Sequence, residues 1–81
     1  MESSTRVRKL KWLCRRGMKE LDVLLERFVE NRRDSLVEGA WPELEALLRE
    51  EDDALWDWLQ GADRPVPPEY RDLLRGIRGE D

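Results

Sequence analysis

Few residues in this chain are of a type that does covalent chemistry. It has 81 residues and no histidine. Without an imidazole there is no Ser-His-Asp or Cys-His nucleophile, no histidine-ligated zinc, and no side chain that titrates unperturbed near neutral pH. The single cysteine, Cys14, excludes an internal disulfide and a cysteine zinc cage. Carboxylates are plentiful, above all in Glu50-Glu51-Asp52-Asp53. Four in a row read as a solvated helix junction with a cap, not as an acid/base pair. No phosphate-cradling glycine loop and no dinucleotide-binding fingerprint occurs, so no tight dinucleotide site is expected. The expected catalytic set and the expected metal set are both empty.

What remains is recognition chemistry, concentrated in Arg15-Arg16-Gly17-Met18-Lys19-Glu20-Leu21-Asp22, with Trp12 just before it. Arg16 offers a planar donor fork suited to carboxylates and carbonyls. Gly17 has no Cβ, so a partner's backbone or a bulky side chain can come close there. Glu20 offers two acceptor oxygens. A purely local role fits the same residues: Gly17 as the N-cap of a helix, Glu20 as its capping-box acid, and Arg16 paired with Glu20. Both can hold together.

These residues need a scaffold, and composition limits it to a small one. A chain of this length is one domain that buries only about 60% of its unfolded surface. Charged residues make up 42% and hydrophobic ones 40%, against roughly 25% charged in ordinary globular chains. Short amphipathic elements with large solvated faces follow. Four tryptophans argue for folding over disorder. No apolar run approaches the roughly 20 residues of a membrane span. The net charge of −4 is unevenly spread. Residues 1–19 carry seven basic groups against Glu2, a net of +6, and the rest carries −10. The basic start is either a solvated helix face or a contact surface. A nucleic-acid role is opposed by the acidic remainder, which repels phosphates. Met1 to Leu13 has the Arg-rich texture of an organelle transit segment, but its apolar positions run straight into the next motif. It reads as the first element of the domain, and with the lone thiol the expected location is a bacterial-type cytoplasm.

The apolar spacing predicts an all-α bundle of about five short helices within a single domain, 1–81, frayed at 1–4 and 79–81. Ser3, Ser4 or Thr5 caps a first helix with Val7, Leu10, Leu13 and Cys14 on its stripe, so Cys14 should be a buried thiol. Met18, Leu21, Leu24, Leu25 and Phe28 form a second stripe that ends in the polar stretch 30–35. Trp41-Pro42 opens a third helix with Leu44, Leu47 and Leu48. Asp52 or Asp53 caps a fourth, which carries Leu55, Trp56, Trp58 and Leu59 and stops at Gly61. The proline-rich segment 64–68 is a stiff connector. A fifth helix carries Tyr70, Leu73, Leu74 and Ile77 and frays through Gly76 and Gly79. Trp56 and Trp58 cannot share a face. Trp56, and likewise Trp12, falls off its stripe and is a candidate for exposure. An exposed tryptophan is a partner contact or packs on a neighbouring helix.

Arg16, Gly17 and Glu20 spell Arg-Gly-x-x-Glu, with Met18, Leu21 and Asp22 around them. Downstream, Leu47-Leu48, Asp52, Leu55, Trp58 and Leu59 form an acidic D-x-x-L-x-x-W-L segment. From about residue 6 to about residue 60 the chain resembles the SdhE/YgfY family of succinate dehydrogenase assembly factors. Gly39, Ala40, Trp41 and Pro42 depart from that pattern, where the loop is usually more polar. The resemblance implies a chaperone, not an enzyme. It would bind the flavoprotein subunit of succinate dehydrogenase, and often of fumarate reductase, and promote its covalent flavinylation. FAD would be attached to the client, through a histidine of the client's own. The implied contact residues are Arg16, Gly17 and Glu20, together with Arg15, Asp22 and Trp12. Neither nucleic acid nor membrane insertion belongs to that picture. An antitoxin-type regulatory protein, or a weak nucleic-acid-binding helical module, would share the size, charge and helix content but not the two motifs.

Overall fold

A computed structural model of the chain describes the backbone of residues 2–61 and 63–79, and within them the side chains from Thr5 onward. Six α-helices account for most of it: α1 Glu2–Leu13, α2 Lys19–Asn31, α3 Arg33–Val37, α4 Leu44–Leu48, α5 Asp52–Gln60 and α6 Arg71–Arg78. A 3-10 turn, Pro68–Tyr70, leads into α6. No strand occurs among the described residues. The all-α class agrees with the apolar spacing. The helix beyond the five expected is α3, in the segment that had read as the polar end of the second helix. Asn31 ends α2, and one residue later the chain turns helical again so that Leu36 can reach the core, where it is fully buried.

Outside the turn between α1 and α2, three helix starts differ from expectation. The backbone of α1 is helical from Glu2, which puts residues 3–5 inside the helix rather than at its cap. Helix α4 begins at Leu44, after Pro42. Trp41 adopts a left-handed φ of 58°, and its ring lies edge-on to Phe28, with centroids 5.8 Å apart. The N-cap of α5 is Glu51, without a side-chain cap bond, so Asp52 and Asp53 occupy the first turn. There they still face the positive end of the helix dipole. Gly61 ends α5 in the left-handed region, as expected. Gly76 is not part of a frayed end. It lies within α6, where a Cβ would come 3.0 Å from Phe28 Cε1, so it lets α6 approach α2 closely. The expected fraying concerns in part Met1, Glu80 and Asp81, which lie outside the described residues.

The core draws on every helix: Val7 and Leu10 of α1, Leu21, Leu25 and Phe28 of α2, Leu36 of α3, Leu44, Leu47 and Leu48 of α4, Leu55 and Trp58 of α5, and Leu73, Leu74 and Ile77 of α6. Helices of five residues have no stability of their own. α3 and α4 exist because their leucines are buried, each contributing about 1.5–3 kcal/mol relative to exposure. Trp58 is buried and donates its indole N–H to the Pro65 carbonyl (3.0 Å), which pins the stiff connector to α5. Trp56 is half-buried against the core instead of exposed. Trp12 does stand out from the surface.

The charge asymmetry of the sequence is met in part by pairing across the fold. Arg6 donates to the carbonyls of Leu36 and Trp41, tying the α3–α4 loop to α1. Lys9 pairs with Glu45 (3.2 Å) and Lys11 with Glu30 (3.6 Å). Lys9, and after it Arg49, hold the Glu45 carboxyl below its usual range. The basic first helix is thus laid against the acidic body.

Candidate docking site

Between the end of α1 at Leu13 and the start of α2 at Lys19 the chain makes a tight turn over residues 14–18. Gly17 takes a φ of +87° there, a conformation that side-chain-bearing residues adopt only under strain. A Cβ at this position would meet nothing within 4 Å. Glycine is required by the backbone, therefore, and not by any internal neighbour, and the space above it is open.

The local capping scheme is not the one the chain uses. The N-cap of α2 is Met18, not Gly17, and it makes no side-chain cap bond. Asp22, one turn into α2, reaches back instead. Its carboxylate accepts the backbone N–H of Arg16 at 2.9 Å and of Gly17 at 3.3 Å. Nor does Arg16 pair with Glu20. Its guanidinium, in a side chain only 13% exposed, is committed elsewhere: Nε to Asp52 Oδ1 at 2.6 Å, Nη2 to the Glu50 carbonyl at 2.6 Å, and Nη1 to the carbonyls of Leu13 (2.9 Å) and Leu48. Leu13 and Leu48 are the last residues of α1 and α4, where backbone carbonyls lack helical partners and the dipole is negative. One cation therefore caps two helix ends while pairing with the first residue of α5. Tyr70 joins the cluster by donating its hydroxyl to Glu50 Oε2 at 3.4 Å.

The other motif residues are free. The side chains of Arg15 and Glu20 are exposed and make no hydrogen bond or ion pair to a described residue, and Trp12 is 72% exposed. Trp12 and Arg15 flank two open grooves. One continues over Arg16, Leu48, Arg49 and Asp52. The other runs past Arg8, Lys11 and Glu26. Of the six residues singled out in the sequence, then, Trp12, Arg15, Gly17 and Glu20 present themselves to solvent, whereas Arg16 and Asp22 hold the turn in shape. Sequence reading missed Asp52 as a member of this site. It stood in the second motif as a helix cap, and the only hint was that both motifs belong to one family pattern.

Cys14 lies under the turn, fully buried as its place on the α1 stripe required. Burial, and then the nearby Glu26 carboxylate, push its thiol up to about 12. The folded chain thus keeps a proton that the unfolded chain releases near pH 9.0, the ordinary value. Stability should be unaffected by this group below pH 9.0 and fall as pH rises from there toward 12. In native protein at neutral pH the thiol should resist maleimide labelling for hours and react at once in denaturant. Fast native labelling would show that the α1 stripe opens readily.

Among the described residues no group of His, Cys, Asp and Glu is arranged to hold a metal, and no helix is long and apolar enough to cross a membrane. The fold and the site together define a small helical domain whose most elaborated feature is a braced surface turn. The chain belongs to the SdhE family of FAD assembly factors. The family model described as flavinator of succinate dehydrogenase matches residues 8–81. The FAD assembly factor SdhE of Coxiella burnetii is 42% identical over 71 residues, covering 88% of this chain and 87% of that protein. The FAD assembly factor SdhE of Legionella pneumophila (strain Paris) is 44% identical over 73 residues, covering 90% and 91%. That of Photobacterium profundum is 39% identical over 77 residues, covering 95% and 88%. No solved structure gives a significant match.

Proposed function

We propose that this chain binds the flavoprotein subunit of succinate dehydrogenase, and that of fumarate reductase where present, and promotes covalent attachment of FAD to it. It acts as a chaperone and not as an enzyme. The client forms the bond to its flavin through its own histidine, and this chain holds the client in the competent conformation. FAD stays with the client, and the setting is the cytoplasm. Trp12, Arg15, Gly17 and Glu20 make the contact, and Arg16 and Asp22 shape the turn that presents them.

The observation that carries this reading is the division of labour within one short motif. Arg16 and Asp22 are consumed by internal bonds, while the neighbouring Arg15 and Glu20 have exposed side chains with no internal partner. Residues kept rigid and unsatisfied at a surface are suited to a partner's groups. Membership of the SdhE family, whose model is described as flavinator of succinate dehydrogenase, supports that choice of partner. The test is deletion of the gene. Covalent flavin fluorescence on the denatured flavoprotein subunit should disappear from the gel during aerobic growth, while the subunit polypeptide still accumulates. Unchanged fluorescence would overturn the proposal.

A further inference from the structure

We infer that Asp52 is a positioning residue for docking, acting through Arg16 on a turn it does not itself belong to. The inference rests on the docking reading above. The turn is clamped from two sides. From the near side, Asp22 accepts the N–H groups of Arg16 and Gly17. From the far side, Asp52, 36 residues along the chain, accepts Nε of Arg16 at 2.6 Å. That bond sets the plane of the guanidinium, and the plane decides whether Nη1 and Nη2 reach the carbonyls of Leu13, Leu48 and Glu50. A guanidinium is a rigid fork, so its side-chain bonds and the path of its own backbone are coupled. Releasing Nε would let Arg16 turn, and its backbone N–H and that of Gly17 would shift on Asp22. The exposed face at Arg15, Gly17 and Glu20 would then lose its fixed geometry. Asp52 contributes little to stability by itself, since its side chain is 41% exposed and a half-exposed ion pair is worth little. Any larger loss of stability on removing it would come through the Arg16 bonds it aligns, so recognition is measured with the bundle folded.

The experiment uses the full chain and the apo flavoprotein subunit of succinate dehydrogenase. Client affinity is measured well below the melting temperature of each variant, alongside amide hydrogen exchange at Arg16 and Gly17 in the unbound variant. Asp52→Ala, which removes the acceptor, should weaken binding by about 10-fold, one 1.4 kcal/mol step, and speed exchange at both amides. Asp52→Asn, whose amide oxygen can still accept Nε, should keep part of both. If Asp52→Ala binds weakly while the two amides stay protected, Asp52 is a direct contact and the inference fails. If the amides loosen but binding is unchanged, or neither changes, it fails as well. Trp12→Ala separates the two levels. Should Trp12→Ala bind normally too, the docking reading itself is at fault; should it lose the client while Asp52→Ala binds normally, only the role of Asp52 is refuted.

Discussion

Replacing Arg16 by alanine is expected to lower the melting temperature by roughly 8–32 °C. The guanidinium makes four side-chain hydrogen bonds from a site only 13% exposed. A hydrogen bond to a charged group contributes about 1.5–3 kcal/mol, but four around one group do not add. The pair with half-exposed Asp52 is discounted further. A net loss of about 2–4 kcal/mol remains, mostly because carbonyls at the ends of α1 and α4 lose their donor. In a domain of 60–100 residues each kcal/mol moves the midpoint by about 4–8 °C. Total stability at this size is only roughly 4–12 kcal/mol, so the variant would sit near the edge of folding. Arg16→Lys keeps the charge, but a compact ammonium cannot span four acceptors, and it should recover less than half of the loss. Thermal unfolding followed by circular dichroism checks this. A shift of only a few degrees for Arg16→Ala would mean the clamp is dispensable and the fork available to a partner.

The second large effect is expected at Gly17, on binding instead of folding. Any side chain there must tolerate a φ of +87°, at a cost of about 1–2 kcal/mol. No described atom lies within 4 Å of the added Cβ, so Gly17→Ala and Gly17→Arg should unfold at similar temperatures. Their affinities for the client should diverge. Arginine puts a long charged side chain over the face where the partner must approach, and a clash or unpaired charge of about 3 kcal/mol lowers affinity by about 100-fold. Alanine adds one methyl group and should lose no more than about 10-fold. Pull-down of the flavoprotein subunit with both variants, on samples whose melting curves are known, reads this difference. Equal loss in the two would locate the requirement in the backbone conformation. Normal binding by Gly17→Arg would exclude the turn as the docking surface.

Much of this protein is written in short-range patterns. Apolar residues recurring every three or four positions determine the all-α class and place Val7, Leu10, Leu21, Leu25, Leu55 and Ile77 in the core. The burial of Cys14, the stop of α5 at Gly61 and the exposure of Trp12 follow from the same local spacing. The absence of histidine narrows the chemistry before any fold is known. The family is legible because both of its motifs stand in the chain at compatible spacing. Tertiary structure alone decided which residues hold the site and which present it. Arg16 and Glu20 are four apart and were natural partners by spacing, yet Arg16 turns to Asp52 and Glu20 is left to solvent. Gly17 looked like a cap, and its conformation instead answers to a carboxylate in the following helix. The five-residue helix α3 and the contact of Gly76 with Phe28 depend likewise on distant neighbours. The reason is one of range. Helical periodicity and turn preference act over a few residues and are visible in any window of sequence, but a long cation settles where orphan carbonyls converge. That place exists only once the ends of α1, α4 and α5 have been brought together by the burial of their leucines.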